Sequence, residues 1–172
     1  MSPPPAPKKI DIYQAIRKSL YVEIGEFIER HGLYLPTGEP LVNVALRYGN
    51  LEVAKELISY DYEHINYVSR TCDLPIVIAA KEGLLEMVVF MVNESAQVGI
   101  ILDNISIPHA IISEADMPEI LHYLFMRGAP LRHGDSILHI GGLLENALYH
   151  GRLETVKYLM HVQKMRFYEE DL

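Results

Sequence analysis

Cysteine is almost absent: Cys72 is the only one in 172 residues. A lone thiol excludes an intramolecular disulfide and any cysteine-based zinc cage, and it suits a reducing compartment. Cations are also scarce, 15 Lys and Arg against 23 Asp and Glu, for a formal charge of −8. That balance argues against duplex nucleic acid or an anionic membrane as the main partner. The most apolar stretch, 76–92, is 17 residues long and is interrupted by Lys81, Glu82 and Glu86. It reads as an amphipathic helical pair and not as a membrane span. The first nine residues, Met-Ser-Pro-Pro-Pro-Ala-Pro-Lys-Lys, lack the apolar centre of a signal peptide. The expectation is an intracellular chain, in the cytoplasm or also the nucleus.

The signatures of chemistry are missing too. The chain contains no G-x-x-x-x-G-K-[ST], no G-x-G-x-x-G and no G-x-S-x-G, so neither a phosphate-cradling loop nor a hydrolase elbow is present. Gly141-Gly142 reads as a loop bend ahead of a helix. Eight histidines invite a metal reading, and His139, His150 and His161 recur every 11 residues. No His-x-x-x-His pair exists to place two ligands on one helical face, so polar surface is the expected role. No cofactor, metal or catalytic residue is expected.

What the sequence does contain is self-similarity. The segment 42–58, Val-Asn-Val-Ala-Leu-Arg-Tyr-Gly-Asn-Leu-Glu-Val-Ala-Lys-Glu-Leu-Ile, overlays 144–160 without a gap, with seven of 17 positions identical. Segment 76–92 lies between them in the same register; Gly49 and Gly83 are 34 residues apart, and Gly151 lies 68 further on. A weaker copy covers 108–129, and another begins near Ile10, with Glu23 and Gly32 in the slots of Glu119 and Gly128. Each copy carries small residues in a short helix (Ala45, Ala79-Ala80, Ala147). A glycine suited to a left-handed helix end follows, and then a second helix with apolar residues at helical spacing. Met87, Met91, Met126 and Met160 fall on second helices, where core packing is expected. Between copies, 100–107 reads as a hairpin with Asp103-Asn104 at its tip, and 64–71 and 131–140 as similar extended stretches. A helix pair this small cannot bury its apolar face alone, whereas stacked copies can.

The period of 33–35 residues, the strings Ala-x-x-x-Gly-x-Leu-Glu and Arg127-Gly128-Ala129 resemble ankyrin repeats. The resemblance spans roughly residues 10–165, although the family's Thr-Pro-Leu-His opening is mostly missing. Pro75 and Pro108 keep its proline, and Pro40 sits one place early. It implies an all-α repeat solenoid of stacked helix-turn-helix units with short β-hairpin-like loops. The expected division is a proline-rich tail at 1–9, copies at 10–37, 38–71, 72–104, 105–141 and 142–168, and an acidic tail at 169–172. Ser136-Ile-Leu-His139 resembles the family's opening but lies far ahead of Gly151. A late start near Leu143 keeps the spacing and is preferred to a lengthened first helix.

The same resemblance implies a non-catalytic module that binds another protein, as an adaptor or an inhibitor that masks a surface. Small single arrays of this kind are common in large DNA viruses and intracellular bacteria, which suggests a host-interaction role. The binding face implied is the concave side, with the two residues before each turn glycine exposed on it. These are Arg47-Tyr48, Lys81-Glu82 and Tyr149-His150, with Lys18-Ser19 and Glu114-Ala115 in the weaker copies. Lys18, Arg47 and Lys81 would form a basic column suited to an acidic or phosphorylated segment, with Arg47, Tyr48 and Tyr149 as anchors. Loop tips offer a second surface through Asn66, Tyr67, Ser69 and Arg70, Asp103 and Asn104, and Arg132, His133 and Asp135. Pro4-x-x-Pro7-x-Lys9 matches a loose SH3-ligand pattern, and Glu169-Glu-Asp-Leu172 could offer a terminal carboxylate. A monomer is expected, with self-association through the end copies as one alternative and an enzyme whose helices mimic the repeat as another.

Overall fold

The computed structural model describes residues 9–67, 74–94, 96, 101, 102, 105–129 and 139–169. Within them lie ten α-helices and one two-residue antiparallel strand pair. The chain divides into two compact units, Met1–His64 and Ile65–Leu172.

The first unit holds α1 (Ile12–Arg17), α2 (Tyr21–His31), α3 (Leu41–Arg47) and α4 (Leu51–Tyr60). The Asp11 carboxylate accepts the Gln14 amide at 3.1 Å, which supplies α1 with its N-cap. In α2 the apolar stripe Ile24 and Phe27 faces inward, while Glu26 and Arg30 pair across one turn outside at 3.1 Å. Gly32, at φ 76°, ends α2. The chain then folds back through a tight turn in which the Leu35 amide donates to Glu39 O and the Leu41 amide to Leu33 O. The first six residues of α3, Leu41–Leu46, are all buried, and α4 buries Val53, Ala54, Leu57 and Ile58. Alanines 15, 45 and 54 let α1, α3 and α4 approach closely; α1 packs on both α2 and α3, and α3 packs on α4.

Residues 64–66, the start of the 64–71 stretch expected to be extended, are not extended. Tyr62–Asn66 forms a 3₁₀ turn. Asp61 drives it: its carboxylate accepts the Glu63 amide at 2.9 Å, and its carbonyl accepts the His64 amide at 3.2 Å. Turning the chain this way buries the His64 ring, whose centroid lies 4.8 Å from that of Tyr34.

The second unit holds α5 (Pro75–Lys81), α6 (Leu85–Asn93), α7 (Ile107–Glu114), α8 (Pro118–Met126), α9 (His139–Tyr149) and α10 (Leu153–Glu169). Prolines occupy the first turns of α5, α7 and α8, where the missing amide is no loss. Strands β1 (Ile101–Leu102) and β2 (Ile105–Ser106) pair in register Ile101↔Ser106. Each first helix packs on its own second helix; α5, α7 and α9 contact in that order, and so do α6, α8 and α10. The core of Ile78, Met87, Met91, Ile111, Leu121, Leu124 and Leu159 sits where these rows meet. Burial of each such side chain contributes about 1.5–3 kcal/mol.

Three expectations change here. Met87 and Met91 are buried, but Met126 and Met160 are 73% and 48% exposed. Met126 stands two residues past the buried Leu124 and Met160 one past Leu159, so each points off the apolar stripe. Helix α9 begins at His139, not near Leu143, so the first helix of the last pair is lengthened. Gly141-Gly142 therefore lies inside α9 and not in a bend. A Cβ at Gly142 would meet His109 Nε2 at 3.6 Å, a sign of how closely α9 approaches α7.

No helix among the described residues is long and apolar enough to cross a membrane. The proline-rich lead 1–8 and the last three residues, 170–172, lie outside the described residues, and so does Cys72.

Candidate functional site

The site is built from a turn that ends four of the five first helices and recurs at the end of α8, around Gly128. At the end of α3, Tyr48 N donates to Val44 O at 3.1 Å, Gly49 N to Leu46 O at 2.9 Å and Asn50 N to Ala45 O at 2.9 Å. The same three bonds close α5 through Glu82, Gly83 and Leu84, and α9 through His150, Gly151 and Arg152. The pivot glycines have φ of 65°, 70° and 66°. At the end of α1 the same bonds run through Lys18, Ser19 and Leu20, and Ser19 takes the left-handed conformation at φ 53°. A serine there is strained, since its Cβ crowds the following carbonyl.

That serine corrects the register of the first copy. Ser19 stands where Gly49 stands, so the exposed pair before the pivot is Arg17-Lys18 and not Lys18-Ser19. Arg17, Lys18, Arg47, Tyr48, Lys81, Glu82 and Tyr149 are exposed, and His150 is half-buried. Helix α7 departs from the pattern: it ends on Ala115 in extended conformation, with no left-handed pivot.

The basic column is not a run of free cations. The Arg47 guanidinium pairs with Glu39, and Lys81 Nζ lies 2.6 Å from Glu114 Oε2. Of the column, only Lys18 meets no carboxylate among the described residues; the same is true of its neighbour Arg17. Among the loop-tip residues, Asn66 closes the 3₁₀ turn and Tyr67 follows it, exposed. Ser69, Arg70, Asp103, Asn104, Arg132, His133 and Asp135 lie outside the described residues.

Polar side chains that the sequence did not single out, Asn50, Arg152 and Asp116 among them, tie successive copies together. Asn50 caps α4 by accepting the Val53 amide at 3.2 Å, and its Nδ2 donates to Ile16 O at 2.7 Å and Ser19 Oγ at 2.8 Å. In the second unit Arg152 holds the matching slot. Its Nε and Nη2 donate to Ile112 O and Ser113 O at 2.9 and 2.7 Å. Asp116, in the slot of the missing pivot, accepts the Thr155 and Glu154 amides at 2.8 and 3.1 Å and so caps α10 from outside that helix. Burial alone would raise the Asp116 pKa. Hydrogen bonds from Thr155 and the Glu154 amide, with the Arg152 charge, outweigh it and hold the carboxyl below the usual aspartate range. Tyr158, whose hydroxyl lies 3.2 Å from His122 Nδ1, is pushed above the usual phenol range by burial. A readable signal existed for Asn50 and Arg152: a long polar side chain directly after the pivot, where Leu84 stands in the third copy.

The first unit also carries an open groove of about 610 Å³. Its lining includes Lys9, Ile10, Tyr13, Phe27, Leu35 and Pro36. No cluster of metal-ligating side chains occurs among the described residues. Ser106 Oγ lies 2.8 Å from His109 Nδ1, and Ser106 is fully buried at the N-terminus of α7. Comparison with protein-family models gives no match, and comparison with curated proteins gives none.

Proposed function

We propose that this chain is a non-catalytic protein-binding module, an all-α solenoid of ankyrin-like helix pairs that acts as an adaptor or as an inhibitor covering a partner's surface. The observation that carries this reading is the recurring turn, with its three bonds and its left-handed pivot in four of five copies. Each turn presents two residues at the same place on its own helix pair, the repeated presentation that binding scaffolds of this kind use. The exposed residues there include Tyr48 and Tyr149, the side-chain type that contributes most at interfaces. The partner is another protein, and the site of action is the cytoplasm or nucleus.

Photo-cross-linking tests this. A benzophenone side chain placed singly at Lys18, Tyr48 or Tyr149 should give an adduct of one defined mass in lysate from the native source. The same probe at Glu56 or Glu119, on second helices, should give none. Adducts from both faces alike, or none from the edge, would remove the reading.

One observation favours a second reading, self-association through the last pair. Leu148 and Leu153 are 61% and 60% exposed there, beside Met160, and an apolar end invites a like surface.

A further inference from the structure

We propose that the first helix pair binds an acidic segment of a partner protein, with an apolar anchor of that segment in the groove beside α1. This rests on the protein-binding reading and names what the first pair recognises.

Superposing the turns places Ser19 on Gly49, a 30-residue offset. Arg17 then falls on Arg47, and Lys9 falls on Glu39. In the second copy Glu39 neutralises Arg47, and in the third Glu114 neutralises Lys81. The first copy has a lysine in the slot of that acid. Arg17, Lys18 and Lys9 consequently meet no carboxylate among the described residues. Asp11, the acid nearest Lys9 in sequence, is engaged in capping α1. The end of a helix attracts cations, which accounts for Arg17 and Lys18 in part; Lys9 lies at the opposite end, where that field repels it. Nothing in the fold calls for three cations here, in a chain whose formal charge is −8.

The groove supplies the second observation. Its apolar lining includes Ile10, Phe27, Leu35 and Pro36, Lys9, Tyr13 and the helix-capping Asp11 also line it, and its volume is about 610 Å³. Tyr13 and Arg17 are four residues apart on α1, so the groove and the cations are neighbours, about one helical turn apart. An extended peptide with a bulky apolar residue in the groove would carry a side chain two or three residues on past Arg17 and Lys18. The turn that presents them is held in place, because Asn50 Nδ2 binds both Ile16 O and Ser19 Oγ. Carboxylates and phosphates share the chemistry this site takes; free cations pair with either.

Fluorescence anisotropy on the full chain tests the proposal with labelled 12-residue peptides carrying one Phe followed by four Glu. Binding should weaken at least tenfold when the Glu become Gln, and at least tenfold when Phe becomes Ser. A phosphoserine peptide separates phosphate from carboxylate: tighter binding assigns the site to a phosphorylated segment, equal or weaker binding to an acidic one. The R17E/K18E double variant should lose at least tenfold, and K9E, which leaves the turn untouched, at least threefold. K157E in the second unit should change binding less than twofold. Glu and Gln peptides binding alike, or charge reversal without effect, overturns the proposal, as does binding that appears only after residues 1–8 are deleted. Peptides enriched from a random displayed library whose binding ignores R17E/K18E would overturn this site and leave the protein-binding reading standing. No enriched peptide and no cross-linked adduct would remove both.

Discussion

Gly25 and Gly49 both have open space where a Cβ would go, yet substitution should act on them in opposite directions. Gly49 pivots the chain at φ 65°, with nothing within 4 Å of an added Cβ. Gly49→Ala should therefore destabilise by about 1–2 kcal/mol through backbone strain alone. Gly25 lies inside α2 with the same free space and no positive φ. Gly25→Ala should stabilise by about 0.5–1 kcal/mol, because it restricts the unfolded chain and favours the helix. Urea denaturation of both variants checks the pair, and equal signs would contradict it. Asn43 is fully buried in α3 with neither amide atom hydrogen-bonded among the described residues, at a position where the next copy has Val77. Asn43→Val should raise stability by about 1 kcal/mol, since the orphaned amide costs about 1–3 kcal/mol. A lower unfolding midpoint would mean that the amide has a partner in solution.

The cap on α10 is the feature of the helices most open to test. Its acceptor, Asp116, stands before α8, so it holds α10 only while the preceding pair is formed. Its pKa is lower in the folded chain than in the unfolded one. The stabilisation is thus complete above the ordinary aspartate range and is lost as pH falls through the folded value. Asp116→Ala should cost about 0.5–2 kcal/mol at neutral pH. The variant and the parent should converge in strong acid, which thermal melts across pH can follow; a constant gap would exclude the linkage. Helices of this kind were legible wherever Gly and alanine marked both sides of a turn, as in α3–α4, α5–α6 and α9–α10. They were harder to place where other chemistry replaced the marker. Ser19 hid the pivot of the first copy because serine rarely adopts φ 53°. The extended reading of 64–66 failed because Asp61, a residue outside the apolar pattern, turns the chain. The start of α9 was misplaced because the late start kept the repeat spacing and Gly141-Gly142 read as a bend, whereas both lie inside the helix, Gly142 close against α7.

For the chain as a whole, net charge and exposed end residues act against each other. A charge of −8 favours separate molecules, while Leu148, Leu153 and Met160 favour contact. Light scattering at two concentrations separated by tenfold should return the monomer mass at both; growth with concentration would favour association through the last pair. The exposure of Arg47, Tyr48, Lys81, Glu82 and Tyr149 follows from their place before a pivot, while His150 in the same place is half-buried. The charge pairing there was not legible. The partners of Arg47 and Lys81 are carboxylates eight and 33 residues away, and no local pattern links them. The groove escaped notice for a similar reason: Lys9, Tyr13, Phe27 and Leu35, which line it, come from separate stretches of sequence.

Ser19 and Asn50 also carry a hereditary consequence. With serine at the pivot, the amide of Asn50 both caps its own helix and grips the strained turn of the neighbouring pair. A lineage with glycine at position 19 is at liberty to lose that asparagine; one that has accepted serine is not. Drift at the two positions should be conditional, with Asn50 exchanged only after, or together with, a return of glycine.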